Sequence, residues 1–250
     1  MTTTSKLSDT TTLVVGGSRG LGRGIATAFA EAGASVIAVA RTAAQPVDLA
    51  GGGGIQQEVA DAADARVAAS LLDHYEPETV ILVAGASPLI RPLQHQTWEA
   101  FSVNWHADVR IAFHWLREAL LKPLRPGSRV IVISSGAALR GSPLSGGYAG
   151  AKATQRFITA YAQEEASRAG LEITFTAVLP RITPLTDLGR PAVAAEAARS
   201  GQTEQEFLQQ FGEPLTPETA GAALVELMRA DALAVAPAYL LTGAGLRELS

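Results

Sequence analysis

The chain of 250 residues contains no cysteine. That excludes disulfide scaffolds, thiolate metal sites and cysteine nucleophiles, and it fits a reducing, cytoplasmic setting. Aromatic residues make up only 6% of the chain and charged residues 18%. The 20 basic residues are outnumbered by 24 acidic ones, for a net charge of −4. Without a basic surplus, neither nucleic acid nor an anionic membrane surface is an expected partner. No apolar run reaches the roughly 18 residues that suggest a membrane-spanning helix. The start, MTTTSKLSDTTT, lacks the basic head and apolar stretch of a secretory signal. Histidines 74, 95, 106 and 114 show no metal-ligand spacing, so no metal is expected. What remains is ordinary for a folded domain. Hydrophobic types supply 47%, and the length allows a sizeable core.

Short β-rich runs alternate with helix-like runs almost to the end. Residues 12–15, 35–40 (SVIAVA), 55–59, 80–83, 129–134 (RVIVIS), 172–178 and 239–241 read as strands. Residues 21–32, 64–72, 98–121, 148–169 and 217–229 read as helices. Several strands are apolar on both faces, which places them in a parallel sheet covered on both sides. Right-handed crossovers then give an α/β fold with a doubly wound, mostly parallel sheet. No composition break marks a linker, so residues 1–250 read as one domain, with 1–10 as a flexible tail. GGGG at 51–54 reads as a surface loop. Residues 180–212 are the least regular, with a helix expected over 193–211. Such insertions near the carboxyl ends of strands often cover a site, and this one reads as a substrate lid.

The first strand runs into Gly16-Gly17-Ser18-Arg19-Gly20-Leu21-Gly22 and then a helix. Gly16, Gly20 and Gly22 have a G-x-x-x-G-x-G spacing. A strand, a glycine turn and a helix start form an anion site, because free N–H groups and the helix dipole face the ligand. Small residues let the backbone approach a pyrophosphate. The turn has no Gly-Lys-Ser/Thr, so it is not a P-loop. After the first strand of such a sheet, a dinucleotide is the expected ligand. The second strand ends at Ala40-Arg41, where an NAD-binding sheet would carry an acid for the ribose hydroxyls. Arg41 and Arg19 instead suit a 2′-phosphate, so NADP(H) is favoured over NAD(H).

Tyr148 and Lys152 lie four apart at the start of a helix-like run, so both side chains leave one face. An ammonium beside a phenol stabilises the phenolate and brings its proton exchange towards the working pH. Ser135 ends the RVIVIS strand, thirteen positions before Tyr148. That is the strand end at which ligands sit, and its hydroxyl can hold a substrate oxygen. The spacing favours Ser135 over Ser134.

With these motifs in place, the chain resembles the short-chain dehydrogenase/reductase family in its compact single-domain, Rossmann-like form. VVGGSRGLGRGIA is similar to the family's cofactor turn, FSVNWHADV to the stretch holding its helix asparagine, RVIVISS…GGYAGAKA to its active-site block, and AYLLTGAGL to its last strand. The likeness covers roughly residues 11 to 245. It implies that Ser135 orients a substrate carbonyl, Tyr148 is the acid/base, Lys152 binds the nicotinamide ribose and Asn104 positions a water in the proton relay. It also implies an NADP-dependent ketoreductase acting on a carbonyl or alcohol. A homo-oligomer, a dimer or a homotetramer, would be built on the helices around 98–121 and 148–169.

Three departures stand out. Leu82-Val83-Ala84-Gly85 replaces the family's Asn-Asn-Ala-Gly, leaving Ala84 and Gly85 to approach the adenosine ribose. Glu58-Val59 replaces its Asp-Val near the adenine. Pro180-Arg181 replaces its Pro-Gly, with Ile182 and Thr183 (or Thr186) following beside the cofactor. Two enzyme alternatives keep the same residues, an oxidation-direction dehydrogenase and a related isomerase or dehydratase. A third alternative is a non-catalytic NADP(H) sensor. Trp98, Trp105 and Trp115 read as core or subunit-interface residues.

Overall fold

Residues 7–43 and 54–249 are described in the computed structural model. Strands β1 (Thr11–Val15), β2 (Ser35–Ala40), β3 (Ile55–Val59), β4 (Thr79–Leu82), β5 (Arg129–Ile133), β6 (Thr174–Pro180), β7 (Ala238–Thr242) and β8 (Gly245–Glu248) form one sheet, ordered β3-β2-β1-β4-β5-β6-β7-β8. The first seven in that row pair in parallel, and β8 turns back antiparallel on β7. The expected doubly wound sheet is therefore present. β8 was missed because GLRE carries no apolar alternation. The hairpin is signalled instead by Gly245, whose φ of 104° suits glycine.

Successive strand residues point to opposite faces, and the central strands are apolar on both. Leu13, Val15, Val80, Leu82, Val130 and Val132 enter one core with Trp115 and Leu116. Val14, Ile81, Ile131, Ile133 and Val178 enter the other with Ile25, Phe29 and Leu224. The first layer contains α2 (Ala65–Tyr75), α4 (Arg110–Leu121) and α5 (Tyr148–Arg168). The second contains α1 (Gly20–Glu31) and α8 (Pro217–Arg229). The buried Arg129 guanidinium donates to the carbonyls of Leu227 and Ala230, at 2.8 and 2.6 Å, and so satisfies the end of α8.

Three expectations change. The sequence predicts a flexible tail over 1–10, yet Leu7 is buried in the second core; residues 1–6 lie outside the described residues, as do 51–53 of the glycine loop. The expected helix over 98–121 is interrupted. It consists of α3 (Trp98–Asn104), a π turn (Trp105–Val109) and α4. Periodicity over the whole stretch hides one wide turn, and such turns often sit at functional sites. The expected helix over 193–211 is two helices, α6 (Gly189–Arg199) and α7 (Glu204–Gln209). Gly201, at φ 65°, ends one. A Thr203–Glu206 capping box starts the other.

Candidate active site

The sheet order reverses direction between β1 and β4, which leaves a crevice at the carboxyl ends of these strands. The glycine turn sits there. Gly16 has φ 94°, and a Cβ on it would lie 2.6 Å from the Ala84 nitrogen. A Cβ on Gly22 would lie 2.1 Å from the Gly16 oxygen. The turn, the start of α1 and the end of β4 are therefore in backbone contact, which only glycine permits. This cradle fits a dinucleotide pyrophosphate at a helix N-terminus. Leu21 lies in the first turn of α1, and Ser18 is partly buried just before it. Arg19, the residue before α1, and Arg41, just past β2, are both exposed.

The segment after β6 reaches the same turn. A Cβ on Gly20 would meet Thr186 at 3.8 Å. Thr186 is held by Thr183, whose carbonyl accepts from its hydroxyl at 3.0 Å and its N–H at 3.1 Å. Pro180 is buried at the end of β6, and Ile182 is partly buried after it. On the far side, Val59 is exposed at the end of β3, and the Glu58 carboxylate accepts from the Tyr75 hydroxyl. Burial first, and then Glu58, push the Tyr75 phenol up to about 12. Glu58 is thus engaged with α2.

Tyr148 and Lys152 both start α5 and share a face, as their spacing predicts. The Lys152 nitrogen lies 5.6 Å from the centre of the Tyr148 ring. Ser134 is buried and donates to the Lys152 carbonyl at 2.7 Å. Ser135, partly exposed, accepts from the Ala137 N–H at 3.1 Å, so its own O–H can still be donated. Ser134 is thus spent on the backbone of α5, while the Ser135 hydroxyl keeps a proton to donate.

Lys152 is only 5% exposed. Its ammonium meets three acceptors: the Ile133 carbonyl at 3.2 Å, Gln155 Oε1 at 2.9 Å and Asp108 Oδ2 at 3.1 Å. Burial alone would push this ammonium's pKa down. The Asp108 charge, then Tyr148, outweigh burial and hold it above the usual lysine value. Asn104 is buried, and its amide donates to the Ala86 carbonyl at 2.7 Å and to Asp108 Oδ1 at 3.1 Å. Asp108 and Gln155 are the site residues that sequence reasoning missed. The signal for Asp108 was an acid in a mostly apolar helix, four residues after Asn104. Gln155 follows Lys152 by three, on its face.

A cavity of about 490 Å³ lies between the segment after β6, α7 and the end of β7. Its wall includes Arg181, Ile182, Leu208, Phe211 and Leu215. Arg181 abuts the turn after Ser135, since a Cβ on Gly136 would meet its Cα at 3.7 Å. Its guanidinium sits 5.0 Å from the Phe211 ring centre. On the other side, the Ser142 hydroxyl donates to Glu196 of α6. Among the described residues no cluster could hold a metal ion, and no helix is long and apolar enough to cross a membrane.

Residues 10–197 match the short chain dehydrogenase family. The chain belongs to the short-chain dehydrogenase/reductase family. That family uses a nicotinamide cofactor. It is 29% identical over 182 residues to a hydroxynaphthalene reductase-like protein of Metarhizium majus, covering 67% of this chain and 66% of the relative. Against the hydroxynaphthalene reductase of Aspergillus fumigatus it is 31% identical over 185 residues, covering 70% of this chain and 66% of the relative. The match thus spans just under two thirds of these relatives. A solved NADP-bound 3-oxoacyl (acyl-carrier-protein) reductase of Agrobacterium tumefaciens superposes with a TM-score of 0.74 at 25% identity, over 95% of this chain and 94% of that one. An NAD+-bound xylitol dehydrogenase superposes with a TM-score of 0.79 at 15% identity, over 96% and 100%, a likeness of fold alone.

Proposed function

We propose that this short-chain dehydrogenase/reductase is an NADP(H)-dependent ketoreductase that reduces a carbonyl compound with an apolar body. The observation that carries the reading is the Ser135–Tyr148–Lys152 group beside a glycine cradle fitted to a pyrophosphate. NADPH, when bound, supplies the hydride. Gly16, Ser18, Gly20, Leu21 and Gly22 would hold its pyrophosphate, and Ala84, Gly85, Ile182 and Thr183 would line its path. Ser135 donates its hydroxyl proton to the substrate oxygen and so fixes the carbonyl. Tyr148 gives its phenolic proton to that same oxygen as negative charge develops there. The Lys152 ammonium stabilises the phenolate left behind.

The largely apolar wall of the cavity behind Arg181 supports a carbonyl substrate with an apolar body, and the reductase names of the relatives support reduction. Residues 180–212 act as the lid, with α7 on the cavity and α6 held to Ser142. Turnover of NADPH with a panel of simple ketones and quinones tests the reading. Oxidation of NADPH by none of them, with the cofactor bound, would favour the sensor alternative.

Arg19 and Arg41, exposed beside the crevice, support the choice of NADP(H). Arg41→Ala is expected to weaken NADPH binding about tenfold while NADH binding changes less than about twofold. Fluorescence titration measures both, and equal losses would remove Arg41 from the 2′-phosphate. A homo-oligomer is supported by the outer face of α4 and α5, where Phe113, Phe157 and Tyr161 are 51, 59 and 57% exposed. Phe157→Glu is expected to shift the protein towards monomer in sedimentation. An unchanged sedimentation coefficient would place the interface elsewhere.

A further inference from the structure

Asp108 has more contacts than a neighbour of Lys152 needs. Its side chain is 1% exposed. Oδ2 pairs with the ammonium at 3.1 Å, while Oδ1 accepts the Ala86 N–H at 2.8 Å and the Asn104 amide at 3.1 Å. Its own carbonyl accepts from Gln155 Nε2 at 2.9 Å, and Gln155 Oε1 accepts a hydrogen bond from the Lys152 ammonium. A Cβ on Gly85 would lie 2.6 Å from Oδ2, so the chain after β4 closes directly over the carboxylate. The π turn puts it there.

Among the described residues, the charged and titratable groups acting on the ammonium are Asp108, from the π turn, and Tyr148, from α5 itself. β5 contributes only the Ile133 carbonyl, and the end of β4 only the backbone of Gly85 and Ala86, towards the carboxylate.

We infer that Asp108 is a positioning residue for proton transfer: its carboxylate is the resident counter-ion of Lys152, fixing the ammonium and weakening the positive field it casts on the Tyr148 phenol. The inference rests on the proton-transfer role proposed above for Tyr148 and Lys152. Its sign follows from charge alone. Neutralising Asp108 strips a buried ammonium of its counter-charge, so Lys152 loses its proton sooner. A reduction that needs the ammonium beside the developing phenolate then falls off at lower pH.

Asp108→Asn keeps the size and an oxygen for the Ala86 N–H. With NADPH and the ketone or quinone that turns over fastest, the alkaline fall of kcat/KM is expected about one pH unit lower than in the parent. A structural role alone would lower the whole profile without moving it, and that result overturns the inference. A second measurement needs no activity. Lys152→Met strands a buried carboxylate, so Lys152→Met/Asp108→Asn is expected to melt about 5–10 °C above Lys152→Met alone. A double variant melting at or below the single one also overturns the inference. If no carbonyl is reduced but the double variant is rescued, the ketoreductase reading falls and the counter-ion assignment stands.

Discussion

Tyr148→Phe is expected to lower kcat for carbonyl reduction by about a thousandfold and to leave NADPH affinity within about a factor of three. The ring stays, so the partly buried start of α5 keeps its packing, and Lys152 keeps all three of its protein acceptors. Only the proton donor is lost. Ser135 can still hold the carbonyl, which is why a residual rate is expected above background. Single-turnover kinetics with preloaded NADPH separates chemistry from binding. A variant that turns over like the parent would remove Tyr148 from its role.

The second large effect is expected at the cradle. Gly22→Ala places a methyl group 2.1 Å from the Gly16 oxygen. Backbone is on the other side of that contact, so no side chain can swing away. The variant is expected to lose about 3 kcal/mol of stability and at least tenfold in NADPH affinity, because the turn must open to admit the methyl. Gly150→Ala is the matched control. It lies in α5 with nothing within 4 Å of its Cβ, and alanine there is expected to stabilise by about 0.5–1 kcal/mol. Thermal melts and NADPH titrations of the two variants decide the matter. Similar behaviour of both would mean that the glycine turn is not the tight element described.

The sheet was legible because its central strands are short and apolar on both faces, the pattern of a parallel sheet covered by helices, and because helix-like runs alternate with them. The crevice was legible because the glycines, Ser135, Tyr148 and Lys152 each sit at a local landmark: a strand end or a helix start. Asp108 was harder to see. Its significance depends on a wide turn that changes which residues of the 98–121 stretch face α5, and a uniform helical period misplaces them. Glu58 shows the opposite problem. Its place at the end of β3 was read correctly, but its contact with Tyr75 comes from α2, seventeen residues away in the chain. The split of 193–211 was present in Gly201 and the Thr203–Glu206 pair, and alanine content masked it.

The π turn has one more consequence. A wide turn holds one more residue than an α turn, so removing one residue from 105–107 would let it close to regular α geometry. The acid would then follow Asn104 by three residues instead of four and would leave the ammonium, with Asn104 and Asp108 themselves unchanged. Along this stretch it is the residue count that aligns the loop after β4 with the head of α5. Single-residue deletions there are therefore expected to be more damaging than most substitutions.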